Sequence, residues 1–363
     1  MKKVLILANN DVGLYNFRFE LLQRLIEEGY QVYLSLPYGD NVKKMIDIGC
    51  YFINTDIDRR GINPITDIKL LWKYNKIISQ IKPDVVLTYT IKPNIYGGII
   101  STLRKVPYLT NITGMGSAMN NHGLLQKVII SMHKIALLNA KCVFFQNSYN
   151  RDFFYTKRII KGDSRLLPGS GVNINKYNLA LYPNKEEAIK FLFIGRVMRE
   201  KGVIELLEAA KEIKIQHPNV EFHIVGPYER GYETIMNQYI EDNTVYYHGA
   251  QTNVYEYLKQ CHAVVLPSYH EGLANVLLEA AATGRPVIAS NIPGCRETFV
   301  HGETGLGFEV KNKDSLTRTL KEFINYPHTV KANMGINSRR KVELEFDRSI
   351  VVNAYIEEIE KII

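Results

Sequence analysis

Short runs of apolar and β-branched residues alternate with longer stretches of helical period along almost the whole chain, which confines it to stacked βαβ units around mostly parallel sheets. In the first half, strands are expected over 4–8, 31–36, 84–88, 107–112 and 141–146, with helices over 17–28, 67–81 and 123–139. Gly29 and Pro83 supply the stop signals for the first two helices. The pattern restarts at Ala188, with strands expected over 189–194, 220–225, 245–248, 263–267 and 286–289. A turn-rich segment from Leu167 to Lys185 separates the two repeats. The 363 residues therefore read as two doubly wound domains, 1–170 and 171–348, followed by a tail of helical pattern over 349–363. Ligands of open α/β sheets bind beyond the carboxyl ends of the strands, so two such domains facing each other put the chemistry in the cleft between them.

Composition removes several classes. With 46% hydrophobic and 23% charged residues and no low-complexity tract, the chain has enough apolar material to fold. Cys50, Cys142, Cys261 and Cys295 lie far apart, without the spacing of a zinc or iron–sulfur site. They read as buried thiols in a reducing compartment, hence a cytoplasmic location. The basic, apolar start Met1-Lys2-Lys3-Val4-Leu5-Ile6-Leu7-Ala8 stops at Asn9-Asn10-Asp11 without a cleavage pattern, so it reads as a first strand rather than a signal peptide. Charges interrupt every apolar run before it reaches the ~18–20 residues a membrane-spanning helix needs. Residues 1–170 hold 23 Lys and Arg against 12 Asp and Glu, whereas residues 171–363 hold 22 against 25. The basic half is expected to face something anionic.

Two segments of the second domain carry chemistry. Phe193-Ile194-Gly195-Arg196-Val197-Met198-Arg199-Glu200-Lys201-Gly202 stands where a strand gives way to a helix. Gly195 permits a tight turn, and Arg196 and Lys201 gather beside a helix start, a combination suited to a diphosphate. Pro267-Ser268-Tyr269-His270-Glu271-Gly272-Leu273-Ala274-Asn275-Val276-Leu277-Leu278-Glu279-Ala280 is the third such junction after it. The N–H groups of Asn275, Val276 and Leu277 are expected to be free for phosphate oxygens, and the Glu279 carboxylate can accept two ribose hydroxyls. His270, next to Glu271, is a further candidate contact for the bound phosphate or sugar ligand.

Gly195-Arg196-x4-Lys201-Gly202 followed by Glu271-x7-Glu279 resembles the donor-site signature of retaining family-4 glycosyltransferases. Supporting matches are Pro168-Gly169-Ser170-Gly171-Val172, Gly226-Pro227, Pro286-Val287-Ile288-Ala289, Pro293-Gly294-x2-Glu297 and Gly302-x2-Thr304-Gly305. The resemblance implies a GT-B fold of two Rossmann-like domains facing an interdomain cleft, the first binding acceptor and the second the nucleotide sugar, with the 349–363 helix packed back on the first domain, so that deleting it is expected to impair cleft closure as well as stability. It implies that Arg196 and Lys201 bind the diphosphate, that Glu279 binds the ribose and that Glu271 lies by the donor sugar, so the catalytic candidates are Glu271, Arg196 and Lys201. It also implies a nucleotide-sugar donor, a UDP-sugar, and no metal or other cofactor. Fixed cations stabilise the leaving diphosphate without a metal, and Asp56-Ile57-Asp58 has the Asp-x-Asp form of a metal motif but lies outside this machinery. Gly13, in the segment from Asn9 to Arg18, is the expected first-loop glycine beside the donor, standing alone where many members have a pair. This segment and Thr88-Tyr89-Thr90-Ile91-Lys92-Pro93-Asn94-Ile95-Tyr96-Gly97 are similar to bacterial enzymes of capsule and lipid-linked oligosaccharide assembly, including those that add N-acetylgalactosamine to undecaprenyl-diphosphate-linked acceptors.

Acceptor-side candidates are Lys92, Thr113, Gly114 and Gly116, with Thr113 where many members have histidine. A lipid-linked or polysaccharide acceptor is the expected partner. Peripheral contact with an anionic membrane, on the inner face of the cell membrane, is assigned to the cationic and apolar segments 124–138 and 151–158, with a core helix as the competing reading of the first. No nucleic-acid motif accompanies the basic charge. Two other functions stay open on these residues: a nucleotide-sugar isomerase on the same fold, and a catalytically silent nucleotide-binding subunit of a glycan-assembly complex.

Overall fold

Lys3–Leu7 forms β1, an inner strand of a seven-stranded sheet in the computed structural model, which describes residues 1–59, 61, 63–114 and 124–363, the side chains of Leu124 and Leu125 excepted. There follow α1 (Asp11–Glu27), β2 (Gln31–Leu36), α2 (Val42–Asp47), β3 (Tyr51–Asn54), α3 (Pro64–Ile81) and β4 (Val85–Tyr89). A π-helical turn, Pro93–Gly97, runs into α4 (Gly98–Leu103), then β5 (Tyr108–Ile112), α5 (Leu124–Ala136), β6 (Cys142–Phe145), α6 (Ser148–Thr156) and β7 (Ser164–Leu166). The order is β3-β2-β1-β4-β5-β6-β7 and every pairing is parallel. Val4, Leu5, Ile6, Val85, Val86 and Leu87 are wholly buried, as central strands covered on both faces must be.

The second unit repeats the plan: β8 (Lys190–Ile194), α7 (Val203–Gln216), β9 (Glu221–Val225), α8 (Glu233–Glu241), β10 (Tyr246–Tyr247), α9 (Val254–Gln260), β11 (Ala263–Leu266), α10 (Asn275–Ala282), β12 (Val287–Ser290), β13 (Gly305–Phe308), α11 (Lys313–Asn325) and α12 (His328–Glu345). Its sheet is also parallel, in the order β10-β9-β8-β11-β12-β13. The last helix, α13 (Arg348–Glu360), belongs to the first unit, so unit 1 is residues 1–170 with 348–363 and unit 2 is residues 171–347. Both units are doubly wound α/β, the class the alternation predicts.

Four differences from the sequence reading have local causes. α1 begins at Asp11, not near 17, because Asn10 in extended geometry accepts the Gly13 N–H at 2.6 Å and caps the helix. The Asn9-Asn10-Asp11 segment is thus a helix start rather than a loop. β3 and β7 escaped notice because they are short and partly exposed, without a continuous apolar run. β13, Gly-Leu-Gly-Phe, is not expected from the sequence because its glycines interrupt the apolar run, but a side chain at Gly305 would stand 2.3 Å from the Val287 carbonyl, so glycine there serves close strand packing.

α13 closes one face of unit 1. Val351, Tyr355 and Ile359 share an apolar cluster with Leu14, Leu21 and Leu25 of α1. Tyr355 also receives a hydrogen bond from Asn111 Nδ2 at 2.6 Å, and Arg348 Nη1 donates to the Asn16 carbonyl at 3.0 Å and Glu20 Oε2 at 2.8 Å. In unit 2 the wholly buried Arg285 donates to the carbonyls of Ala180, Leu181, Leu258 and Lys259, tying the entry segment to the end of α9.

We expect Tyr355→Ala to destabilise the protein by ~3–5 kcal/mol, the range for deleting a buried aromatic side chain, and Tyr355→Phe by only ~1 kcal/mol for the lost hydrogen bond; urea unfolding measures both. His262 supplies a pH test. It is buried, its Nδ1 accepts the Lys190 N–H at 3.1 Å, and burial pushes its pKa down from 6.5 to about 4. The unfolded chain then takes up a proton at a pH where folded His262 stays neutral. Its contribution to stability is present above pH 6.5 and falls away as pH drops towards about 4, and the decline in Tm over that window should be shallower in His262→Gln.

Candidate functional site

The parallel sheet of unit 2 carries the β8–α7 and β11–α10 junctions to the same, carboxyl edge, and close backbone approaches fasten them there. Gly202, at φ +66°, caps α7 in left-handed geometry, and a side chain on it would stand 2.0 Å from the Pro267 carbonyl. Tyr269 N–H donates to the Glu200 carbonyl at 2.8 Å. The result brings Lys201 Nζ to 2.5 Å from Glu271 Oε1, the side chains 25% and 13% exposed. Two residues 70 apart in sequence become one half-buried ion pair.

A third junction closes on the second. Gly294, at φ +88°, leaves no room for a side chain beside the carbonyls of Glu271 and Gly272, and its own carbonyl accepts the Ala274 N–H at 2.8 Å. Glu297 Oε2 holds the Gly294 N–H at 2.7 Å. Cys295 is buried beside Glu271; burial, and then the Glu271 charge, push its thiol well above the ordinary range. Behind the first loop, Gly226 backs directly onto the Gly195 carbonyl, where any side chain would be 1.9 Å away.

The sequence candidates of unit 2 fall around this pair. Gly195 follows the last residue of β8, and Arg196 and His270 are exposed. α10 starts at Asn275 with no side-chain cap, and Glu279 is half-buried in its second turn. One expectation is corrected: Leu277 is buried and its N–H already donates to the Ala274 carbonyl at 3.0 Å, because the first turn closes tightly. Asn275 and Val276 remain as the first-turn donors. The sequence reading overlooked three polar atoms at the same edge. Asn275 Oδ1, Ser268 Oγ and Ser290 Oγ are buried and have no hydrogen-bond partner among the described residues, the condition of atoms that await a ligand or water. Single serines and asparagines have no pattern that would mark them in a sequence.

Gly13 is not a loop glycine: it lies in the first turn of α1 in unit 1 with its N–H held by Asn10. Lys92 follows the carboxyl end of β4, and Thr113 and Gly114 follow that of the adjacent strand β5. Lys92 Nζ is 2.6 Å from Asp67 Oδ1, both largely buried. Just before it, Thr90 adopts φ +75°, a strained value for a β-branched residue of the kind that clusters at functional sites. Thr113 is exposed and Gly114 half-buried, and Gly116 lies outside the described residues. Asp56 and Asp58 line a cavity of about 480 Å³ with Thr66, Lys69 and Asp67, the partner of Lys92. No group of three or more His, Cys, Asp or Glu among the described residues could hold a metal ion, and no helix among them is long and apolar enough to cross a membrane.

Two doubly wound parallel α/β units define the architecture of GT-B glycosyltransferases. Comparison with known proteins agrees. Residues 3–147 match the family described as glycosyl transferase 4-like and residues 180–341 the family described as glycosyl transferases group 1, and the chain belongs to these glycosyltransferases. It is 24% identical, over 98% of both chains, to the N,N'-diacetylbacillosaminyl-diphospho-undecaprenol alpha-1,3-N-acetylgalactosaminyltransferase of Campylobacter jejuni. It is 27% identical to the Escherichia coli UDP-Gal:alpha-D-GlcNAc-diphosphoundecaprenol alpha-1,3-galactosyltransferase, over 72% of this chain and 71% of that one. It is 25% identical to the Staphylococcus aureus capsular polysaccharide biosynthesis glycosyltransferase CapM, over 81% and 80%. In fold it is similar to the sucrose-phosphate synthase of Thermosynechococcus elongatus (TM-score 0.82, 19% identity, 99% of each chain) and to Anabaena HepE in complex with UDP and glucose (TM-score 0.79, 16% identity, 100% of each chain).

Gly202→Ala should lower stability by ~1–3 kcal/mol, since it combines an unfavourable φ with a clash against fixed backbone. Gly195→Ala should cost less, because its added carbon meets the Phe193 ring at 3.3 Å and no backbone atom. Urea midpoints of the two variants test the order.

Proposed function

We propose that the chain is a retaining, metal-independent glycosyltransferase that moves a sugar from a UDP-sugar to a lipid-linked or polysaccharide acceptor in bacterial surface-glycan synthesis. N-acetylgalactosamine or a related hexose is the proposed cargo. The observation that carries this reading is the Lys201–Glu271 pair beside the uncapped start of α10. In this reading the incoming diphosphate takes Lys201 from Glu271 and receives further hydrogen bonds from Arg196 and the N–H groups of Asn275 and Val276. Glu279 accepts the ribose hydroxyls, His270 borders the donor phosphate or sugar, and Glu271, released from Lys201, orients the sugar hydroxyls.

The bond from the anomeric carbon to the β-phosphate oxygen breaks, and its electron pair leaves on UDP. An acceptor hydroxyl attacks from the same face and passes its proton to the departing phosphate, so configuration is retained. Charge growing on the phosphate is met by cations already in place, so no metal is assigned a role. Lys92, Thr113 and Gly114, with Gly116, are the proposed acceptor side. The acceptor class draws support from the names of the C. jejuni and E. coli relatives, both of which act on diphospho-undecaprenol-linked sugars.

The test is nucleotide diphosphate release from a panel of UDP- and GDP-sugars in EDTA, with and without a lipid-linked acceptor extract. Release that needs the extract and survives EDTA is expected, along with a fall on the order of 10²–10³-fold in kcat for Lys201→Ala, the loss typical of removing one preorganised charge stabiliser. Interconversion of the donor without extract, or binding without release, would overturn the reading.

A further inference from the structure

α3 is apolar on two faces. Leu70, Tyr74, Ile77 and Ile78 are buried inside unit 1, while Ile65, Ile68 and Trp72 stand 64%, 56% and 67% exposed. Positions 65, 68 and 72 follow helical spacing, so they form one outward ridge. Leu103, at the end of α4, is 69% exposed, and its neighbour Arg104 donates from Nε to Asn75 Oδ1 at 2.7 Å, which joins that end to α3. Trp72, Asn75, Lys76 and Arg104 border one open cavity of about 620 Å³. Scattered exposed apolar residues are ordinary, but a continuous ridge that includes the chain's single tryptophan marks an interaction surface.

Its charge identifies the partner. Lys69, Lys76, Arg104 and Lys105 are exposed around the ridge, and the one acid of α3, Asp67, is already paired with Lys92. From Val85 to Arg151 the chain has no Asp or Glu, but has Lys92, Arg104, Lys105, Lys127, Lys134, Lys141 and Arg151. α5 extends the same layer, since Gly98 of α4 packs directly on the Ala136 carbonyl, and it presents Lys127, Lys134, Val128 and Ile135 outward. A second copy of the chain would bring these cations face to face.

We propose that the α3–α4 face docks on an anionic phospholipid bilayer, with Ile65, Ile68, Trp72 and Leu103 entering the headgroup–acyl boundary and the surrounding lysines and arginines meeting the headgroups. The role of this contact rests on the proposed lipid-linked acceptor, which it would meet at the membrane surface; the contact itself does not.

Because Trp72 is the only tryptophan, its emission reads the contact directly. Vesicles of phosphatidylcholine containing phosphatidylglycerol should shift the emission to the blue, brominated lipid should quench it, and salt should reverse both. Pure phosphatidylcholine should do neither. Ile68→Asp and Lys76→Glu should each weaken vesicle binding, by on the order of fivefold for the lost cation. Both should leave nucleotide diphosphate release with a water-soluble, short-chain acceptor unchanged. If no variant or wild-type protein transfers sugar, the functional reading fails while the fluorescence result stands by itself. Absence of vesicle binding, binding that leaves Trp72 emission unmoved, or self-association that shifts the emission without lipid would each overturn the docking surface.

Discussion

Parallel pairing of every strand in both sheets is the constraint on which the candidate site depends. In a parallel sheet each strand-to-helix junction emerges at the carboxyl edge, so residues far apart in sequence are delivered to one line. Unit 2 sharpens that delivery with glycines that remove the space a side chain would occupy. Gly202 sets the start of α7 on Pro267, and Gly294 sets a third loop on Glu271 and Gly272. Lys201 and Glu271 meet because backbone, not side-chain reach, has already brought their loops together. The pair is half-buried and lies beside an uncapped helix start. It therefore holds a cation and a carboxylate in place without neutralising the local preference for an anion.

Unit 1 uses the same topology and the corresponding carboxyl edge. Strained Thr90, the buried Lys92–Asp67 pair and exposed Thr113 stand by the ends of β4 and β5. The polar interior near those ends is reinforced from α13: Tyr355 lies in the helix added from the far end of the chain, yet bonds Asn111 of β5. The Arg18 guanidinium is buried over the rings of Tyr89 and Tyr355, at 5.1 and 5.6 Å from their centroids. Cation–π contact of this kind lets a charge sit inside without a carboxylate. The outer layer of the same unit, α3 and α4, combines apolar and cationic groups that the interior does not need.

Much of the fold was legible because period and burial coincide. Strands buried on both faces are continuous apolar runs, and those at the centre of each sheet were found. The edge strands β3, β7 and β13 were not, since a short, half-exposed or glycine-containing strand carries no such run. The start of α1 was misread because an asparagine N-cap and a loop asparagine look alike until the Gly13 N–H is seen to point at one. In the site, Arg196, Lys201, Glu271 and Glu279 stood out by spacing and by family resemblance. Ser268, Ser290 and Asn275 Oδ1 did not, because their interest lies in being buried without partners, a property of the packed molecule. The sequence placed the apolar, cationic surface on segments 124–138 and 151–158, whereas the clearest ridge is on α3; Ile65, Ile68 and Trp72 are indistinguishable from core residues until it is known which face of the helix is covered.

The amino-acid order by itself determined the two doubly wound sheets, their helices and the junctions that carry the charged residues, because hydrophobic period and turn chemistry act locally. Only the tertiary structure decided that Lys201 pairs with Glu271, that the Leu277 N–H is already taken and that Gly13 belongs to a helix. It also decided which contacts hold α13 to unit 1, an association the family resemblance implies, among them Tyr355 with Asn111 and Arg348 with Glu20. These depend on backbone approaches between segments tens to hundreds of residues apart, and distance in space at that separation is fixed by packing rather than by any local preference.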